Sequence, residues 1–364
     1  MKIIIVVDGF NGGAGNMAQL LAIGLKKRGY DISIIMTNFA DNVEPRHNLK
    51  DISLLRVQPP KPKGNRIKQL FSLFSNIKKM ILANSPSIVI SFITNNNIIT
   101  CLDLYKESIP IISCERSNPI AIKPSFPWNI LRVIAYHRSN VIVVQFDCFK
   151  NFLKGKLSTK CITIPNFVSE PHYKKNDYSI KDGSPIRIVA VGRLSHIKNY
   201  GVMFTIIDRL LKNGISCTLD VYGIGPLMEK LENDIDYLGY SEIIKLHGQV
   251  NTIEETLCNY DLYLITSIQE GFPNSLSEAM TVGLPCIAGR CHDGFVEIIE
   301  NGVNGFLVDD VNDVNGYFEA IKLIATDEKL RESIGNNAKD LSTKYSESLV
   351  VGKWESIVTE IVNG

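Results

Sequence analysis

The sequence has no apolar run near the roughly 18 residues of a spanning helix, so any membrane contact it makes must be peripheral. Its opening, M-K-I-I-I-V-V-D, is too short for a signal peptide and passes at once into a glycine-rich loop. The cysteines Cys101, Cys114, Cys148, Cys161, Cys217, Cys258, Cys286 and Cys291 include no C-x-x-C pair. Metal and disulfide frameworks fit that scatter poorly, and buried reduced thiols in a cytosolic protein fit it well. No G-x-S-x-G elbow occurs, and no base-reading motif accompanies the basic residues, so a nucleophilic triad and a nucleic-acid partner are not expected. Asp234-Ile235-Asp236 has the spacing of some divalent-ion motifs but sits in an acidic, helical segment, where residues two apart do not share a face. No metal is expected.

Net charge is also small overall, at +1, but it is unevenly spread. Lys and Arg outnumber Asp and Glu by 24 to 11 in residues 1–180, and the reverse holds at 15 to 27 in 181–364. A basic half suits something anionic, such as a membrane surface. The segment from Lys61 to Ala83 concentrates that charge. It carries Arg66, Lys68, Lys78 and Lys79 around Ile67, Leu70, Phe71, Phe74, Ile77 and Ile81 at helical spacing, with no acid between. That composition suits a helix lying on an anionic bilayer, or equally a domain helix with its apolar stripe in the core.

At 364 residues, two cores are expected. Short β-branched runs at 3–7, 32–36, 52–57, 88–92, 109–114 and 141–144 alternate with helical stretches at 16–28, 66–83, 95–106, 127–138 and 146–154. A turn-rich passage at 171–185 reads as a linker. Strands then resume near 186–191, 217–222, 243–247, 261–266, 285–288 and 305–308. The fold class is therefore α/β: two doubly wound, Rossmann-like domains facing across a cleft, with ligands at the carboxyl ends of the strands. The expected domains are 1–170 and 186–345. A helix at 346–364 with Val350, Trp354, Ile357, Val358 and Ile361 on one face follows, explained by core packing.

Ile265 to Met280, I-T-S-I-Q-E-G-F-P-N-S-L-S-E-A-M, is the stretch richest in chemistry. It reads as a strand leaving into a polar turn and a helix, with Glu270 at the strand exit and Glu278 about one turn inside the helix. Free amides at the helix start make an anion site suited to phosphate. Arg193 and Lys198, in V-G-R-L-S-H-I-K-N at another strand exit, could neutralise a diphosphate leaving group without a metal. The loop Gly9 to Asn16, G-F-N-G-G-A-G-N, lets backbone approach a ligand closely but misses the G-x-G-x-x-G spacing. Glu115 and Arg116, in I-S-C-E-R-S-N-P, are candidates for acceptor or phosphate contact, or a structural ion pair.

Taken together, G-G-A-G-N, G-R-L-S-H-I-K-N, L-H-G-Q-V, E-G-F-P-N-S-L-S-E-A-M-T-V-G-L-P and N-G-V-N-G-F-L-V resemble the retaining glycosyltransferases of family 4, which have the GT-B fold. The resemblance spans nearly the whole chain and is densest from 186 to 308. It implies a donor-binding second domain, an acceptor-binding first domain, and a C-terminal helix crossing back to the first. By the same resemblance Arg193 and Lys198 hold the diphosphate, Glu278 the ribose and Glu270 sugar hydroxyls. Gly12, Gly13, Gly248, Phe272, Pro273, Asn274, Ser275 and Leu276 line the donor, and Leu246 to Val250 border the base. Many members of that family have a His at the end of the strand where this chain has Ile112-Ser113-Cys114-Glu115-Arg116, and a subset from bacterial surface-polysaccharide assembly carries S-E-R or S-x-R there.

The resulting expectation is a retaining, metal-independent transfer of a hexose or N-acetylhexosamine from a nucleotide-diphospho-sugar, taken as a UDP-sugar, to a polyprenyl-diphosphate-linked or other lipid-linked glycan. No cofactor is expected, and the place is the cytoplasmic face of the plasma membrane. A two-domain NAD oxidoreductase, with Asp41 on the ribose, is a second reading. A non-catalytic nucleotide-sugar-binding protein is a third. The broken dinucleotide fingerprint and the intact Glu270, Glu278, Arg193 and Lys198 count against them.

Overall fold

The computed structural model describes residues 1–10, 12–38, 44–57, 66–250 and 253–364, with side chains left out for 66–74. It divides into two units, 1–167 with 347–364, and 168–346.

In the first unit, near-continuous runs of Ile and Val become strands buried on both faces, as a parallel sheet requires. The order along the chain is β1 (Lys2–Val7), α1 (Gly12–Lys27), β2 (Asp31–Met36), β3 (Ser53–Arg56), α2 (Arg66–Ala83), β4 (Ile88–Phe92), α3 (Thr94–Asp103), β5 (Ile111–Cys114), α4 (Trp128–Arg138), β6 (Val141–Val144) and β7 (Cys161–Thr163). The sheet runs β3-β2-β1-β4-β5-β6-β7, all parallel. The strand order reverses between β1 and β4, the place where such sheets open a crevice at their carboxyl ends.

The second unit holds β8 (Ile186–Val191), α5 (Tyr200–Lys212), β9 (Cys217–Tyr222), α6 (Met228–Leu238), β10 (Ile244–Leu246), α7 (Ile253–Leu257), β11 (Leu262–Ile265), α8 (Asn274–Thr281), β12 (Cys286–Gly289), β13 (Phe306–Val308), α9 (Val314–Thr326), α10 (Glu328–Ala338) and α11 (Leu341–Lys344). Its six parallel strands run β10-β9-β8-β11-β12-β13, so the reversal lies between β8 and β11. The last helix, α12 (Glu347–Asn363), belongs to the first unit. There Val350, Val351, Trp354 and Val358 join the core of α1, β1 and β4. Trp354 stacks on Phe92 at 6.5 Å, and Arg28, just past α1, pairs with Glu355 at 2.5 Å.

The structure differs from the sequence reading in three places. The short strand β7 was not expected. The helix expected over 146–154 is a 3-10 stretch, Asp147–Phe152. The passage expected as a linker, 171–185, packs onto the second unit: the Lys175 amide bonds the Val282 carbonyl at 2.7 Å, and the Tyr178 hydroxyl bonds the Gly283 carbonyl at 2.9 Å. Extended backbone that docks through single side chains leaves no periodicity to read.

Candidate functional site

The reversal between β8 and β11 brings together the two loops that the sequence singled out. The exit of β8 carries Gly192 to Asn199, and the exit of β11 carries Thr266 to Pro273. Bonds to backbone carbonyls join them: Thr266 Oγ1 to the Lys198 carbonyl at 3.0 Å and to the Asn199 carbonyl at 3.3 Å, and the Ile268 amide to the Ile197 carbonyl at 2.9 Å.

At this junction Lys198 Nζ donates to Glu270 Oε1 at 2.6 Å, with the two side chains only 15% and 12% exposed. Gly192 makes room for the lysine, since a Cβ there would lie 2.7 Å from Lys198 Cε. Gly223, at φ 149°, lets the exit of β9 pass against Gly192; a Cβ there would sit 1.9 Å from the Gly192 carbonyl oxygen. An ammonium has three donors, so the pair leaves two for another anion. Arg193 is exposed, and among the described residues its guanidinium has no hydrogen bond or ion pair.

Helix α8 starts at Asn274, with Pro273 as its N-cap and no side-chain cap. The Asn274 amide turns back to the Phe272 carbonyl at 2.9 Å, while no hydrogen bond among the described residues occupies the Ser275 and Leu276 amides. Two donors at a helix N-terminus are thus left for an anion. Several side chains of this turn point inward. Leu276 is fully buried, Phe272 packs edge-on to Tyr345 at 5.7 Å, and Ser275 Oγ donates to the Val191 carbonyl at 3.1 Å. For these positions only the backbone is offered to a ligand. Glu278 is half-buried in the second turn of α8, and its charge and that of Glu270 both reach the buried Tyr263 hydroxyl. Gly248, at φ 71°, shapes the exit of β10, and its carbonyl accepts from the Gly223 amide at 2.6 Å.

Two residues that hold this site were missed in the sequence. Tyr263 donates to Ser275 Oγ at 2.8 Å and so pins α8 to β11. Its signal was a lone aromatic inside an otherwise aliphatic strand. His292 follows β12. Its Nδ1 accepts from the Gly294 amide at 3.0 Å, so Nε2 carries the proton and donates to the Gly271 carbonyl at 3.3 Å, beside Glu270. Burial pushes His292 down to about 4. The unfolded chain then takes up a proton near pH 6.5 that the folded chain refuses until about pH 4, so acid favours unfolding across that window. Unfolding free energy should fall by up to about 3 kcal/mol from this group alone between those limits. Urea titrations at several pH values should show a shallower fall for His292→Asn; an unchanged slope would remove the assignment.

The first-unit candidates are Gly12, Gly13, Glu115 and Arg116. Gly12 and Gly13 are exposed at the start of α1, and Gly12 has φ 72°. Glu115 does not reach a surface, being 1% exposed. Thr94 Oγ1 donates to Oε2 at 2.6 Å, the Tyr136 hydroxyl donates to Oε1, and Arg132 lies 4.0 Å away. Burial raises its pKa. Glu115 is thus an internal polar anchor, and its ion-pair partner is Arg132, not Arg116. Arg116 lies over the rings of Phe92 at 4.8 Å and Trp354 at 5.6 Å, with Nη1 on Asn166 Oδ1 at 3.0 Å.

The membrane candidates sit on α2. Ile77 and Ile81 are buried, Lys78 pairs with Glu107 at 2.7 Å, and Lys79 is exposed. In this half of the helix the apolar stripe faces the core. Arg66 and Lys68 lie outside the residues whose side chains are described, and Asp41 outside the described residues. No helix among the described residues is long and apolar enough to cross a membrane. Asp234 is held by Lys230 at 2.5 Å on the surface of α6.

Two Rossmann-like units, one with cations and amides gathered at its strand reversal, are what the structure itself establishes. Residues 174–341 match the family model for glycosyl transferases group 1, so the chain carries a glycosyltransferase domain of that group. It is similar to the amylovoran biosynthesis glycosyltransferase AmsD of Erwinia amylovora, 26% identical over 365 residues, covering 98% of this chain and 99% of that one. It is also similar to the GalNAc-alpha-(1->4)-GalNAc-alpha-(1->3)-diNAcBac-PP-undecaprenol alpha-1,4-N-acetyl-D-galactosaminyltransferase of Campylobacter jejuni, 22% identical, covering 100% of this chain and 99% of that one. Among solved structures, Anabaena HepE in complex with UDP and glucose superposes with a TM-score of 0.81 at 17% identity, covering 99% of each chain.

Proposed function

We propose that this protein transfers a hexose or N-acetylhexosamine from a UDP-sugar to a lipid-linked glycan during assembly of a bacterial surface polysaccharide, with retention at the anomeric carbon and without a metal. The observation that carries the reading is the Lys198–Glu270 pair beside the unoccupied amides of α8, at the strand reversal of a matched glycosyltransferase domain. The names of the relatives support the rest. AmsD is a polysaccharide biosynthesis enzyme, and the Campylobacter jejuni enzyme extends a glycan on undecaprenol diphosphate. HepE was solved with UDP and glucose.

In this reading the amides of Ser275 and Leu276, with Lys198 and Arg193, take the diphosphate. Glu270 and Glu278 take hydroxyls of the sugar and the ribose. The bond from the anomeric carbon to the diphosphate oxygen breaks, and the acceptor oxygen bonds that carbon from the same face. The acceptor proton passes to the departing phosphate, giving UDP and the glycoside. Cations fixed beforehand where that charge develops supply the rate enhancement, and no protein nucleophile is needed.

UDP should raise the melting temperature in the absence of magnesium, and NAD should not. The opposite pattern would sink the reading. A panel of nucleotide-sugars against lipid-linked acceptors, read by mass spectrometry, then names the sugar and the linkage.

A further inference from the structure

Helix α4 is turned inside out. Amphipathic helices bury their apolar stripe and leave charge outside. Here Arg132 and Tyr136 point inward, Tyr136 to Glu115 and Arg132 over the ring of Phe152 at 5.3 Å. Arg132 Nε and Nη1 are buried without a hydrogen bond. Ile130, Val133 and Ile134, at the i, i+3, i+4 spacing of one stripe, lie outside and are about half exposed, Ile130 at 50%. The loop leading into the helix adds Ile120, Ile122 and Phe126, the last 78% exposed. Burying a guanidinium while exposing a row of isoleucines costs stability, and an apolar patch of that kind marks a surface that meets something else.

The surrounding charge says what it meets. No Asp or Glu occurs from Arg116 through Phe146. Lys123 is exposed inside the patch. Lys154 and Lys156 are exposed on the neighbouring segment, which Lys160 ties to the end of α4 through the His137 carbonyl at 2.8 Å and the Ser139 carbonyl at 2.7 Å. Apolar side chains framed by cations, with Trp128 half-buried at the helix start, match the interfacial layer of a bilayer with an anionic leaflet.

We propose that residues 120–134, the loop before α4 and its outer face, dock this protein on an anionic membrane surface. The purpose of docking rests on the lipid-linked acceptor of the preceding section; the surface itself does not. The experiment is sedimentation of the full chain with vesicles of phosphatidylglycerol mixed with phosphatidylcholine, against phosphatidylcholine alone. The wild-type chain should bind the former. Combining Ile122→Ser, Ile130→Ser and Ile134→Ser should lower the partition on the order of ten- to a hundredfold with the melting temperature unchanged, because each removes only exposed apolar area. The wild-type emission should shift to the blue on binding, and Trp128→Phe should abolish that shift, since Trp354 is buried in the core. Equal partition of the triple variant would overturn the proposal. So would a dimer that the triple variant abolishes with no effect on vesicles, which would make the patch a contact between copies. A chain that binds vesicles but transfers no sugar leaves the docking surface standing and overturns the activity. One that transfers sugar to a short-chain soluble acceptor but binds no vesicles overturns the docking surface alone.

Discussion

Replacing Lys198 by alanine should lower turnover at saturating donor by about 10²–10³-fold, the usual cost of losing one fixed charge aimed at a developing anion. The same change leaves Glu270 largely buried without its cation, so stability should also drop, by about 1–3 kcal/mol. The two effects can be separated. Adding Glu270→Gln to the lysine variant removes the stranded charge and should return most of the melting temperature, yet turnover should stay low because the diphosphate still lacks its cation. Arg193→Ala, at an exposed position, should cost turnover with no change in melting. Near-normal turnover of Lys198→Ala at saturating donor would assign the pair to structure alone.

Trp354→Ala should destabilise the first unit by about 3–5 kcal/mol, the range for deleting a large buried aromatic. Trp354 is 1% exposed, stacks on Phe92, and supplies one of the two rings over the Arg116 guanidinium. Its loss opens a cavity and uncovers a half-buried cation that has no carboxylate partner among the described residues, so both penalties act in one place. Hydrogen exchange read by mass spectrometry is the measurement, because the damage should be local. Peptides from β1, β4 and α1 should lose protection, and those from β8 to β13 should keep it. Equal loss in both units, or none, would show that α12 does not complete the first core.

Strand and helix alternation was legible because buried parallel strands must be short and β-branched and their crossovers long. Strands β8 and β9 occur where the apolar runs place them. Strand β7 escaped because three residues at a sheet edge carry too little pattern. At the site, Lys198 and Glu270 could be found because a strand exit is a position, and position can be read. What could not be read is direction. Glu115 sits next to Arg116 yet pairs with Arg132, and α4 has the periodicity of a core helix with its faces exchanged. A hydrophobic period tells which residues share a face and not what that face meets.

That α12 belongs to the first unit has a consequence for biosynthesis. The nascent chain completes residues 1–167 early, but Trp354 leaves the ribosome only after all of residues 168–346 have been made. At roughly 5–20 residues per second, the first unit waits on the order of ten to forty seconds with Phe92 and the Gly24 face of α1 lacking the cover of Trp354 and Val351. During that interval an open apolar groove and the cation of Arg116 are accessible to chaperones or to aggregation. Chains cut anywhere between 168 and 346 should therefore be proteolysed faster than chains that reach Val358, even though their first sheet is complete.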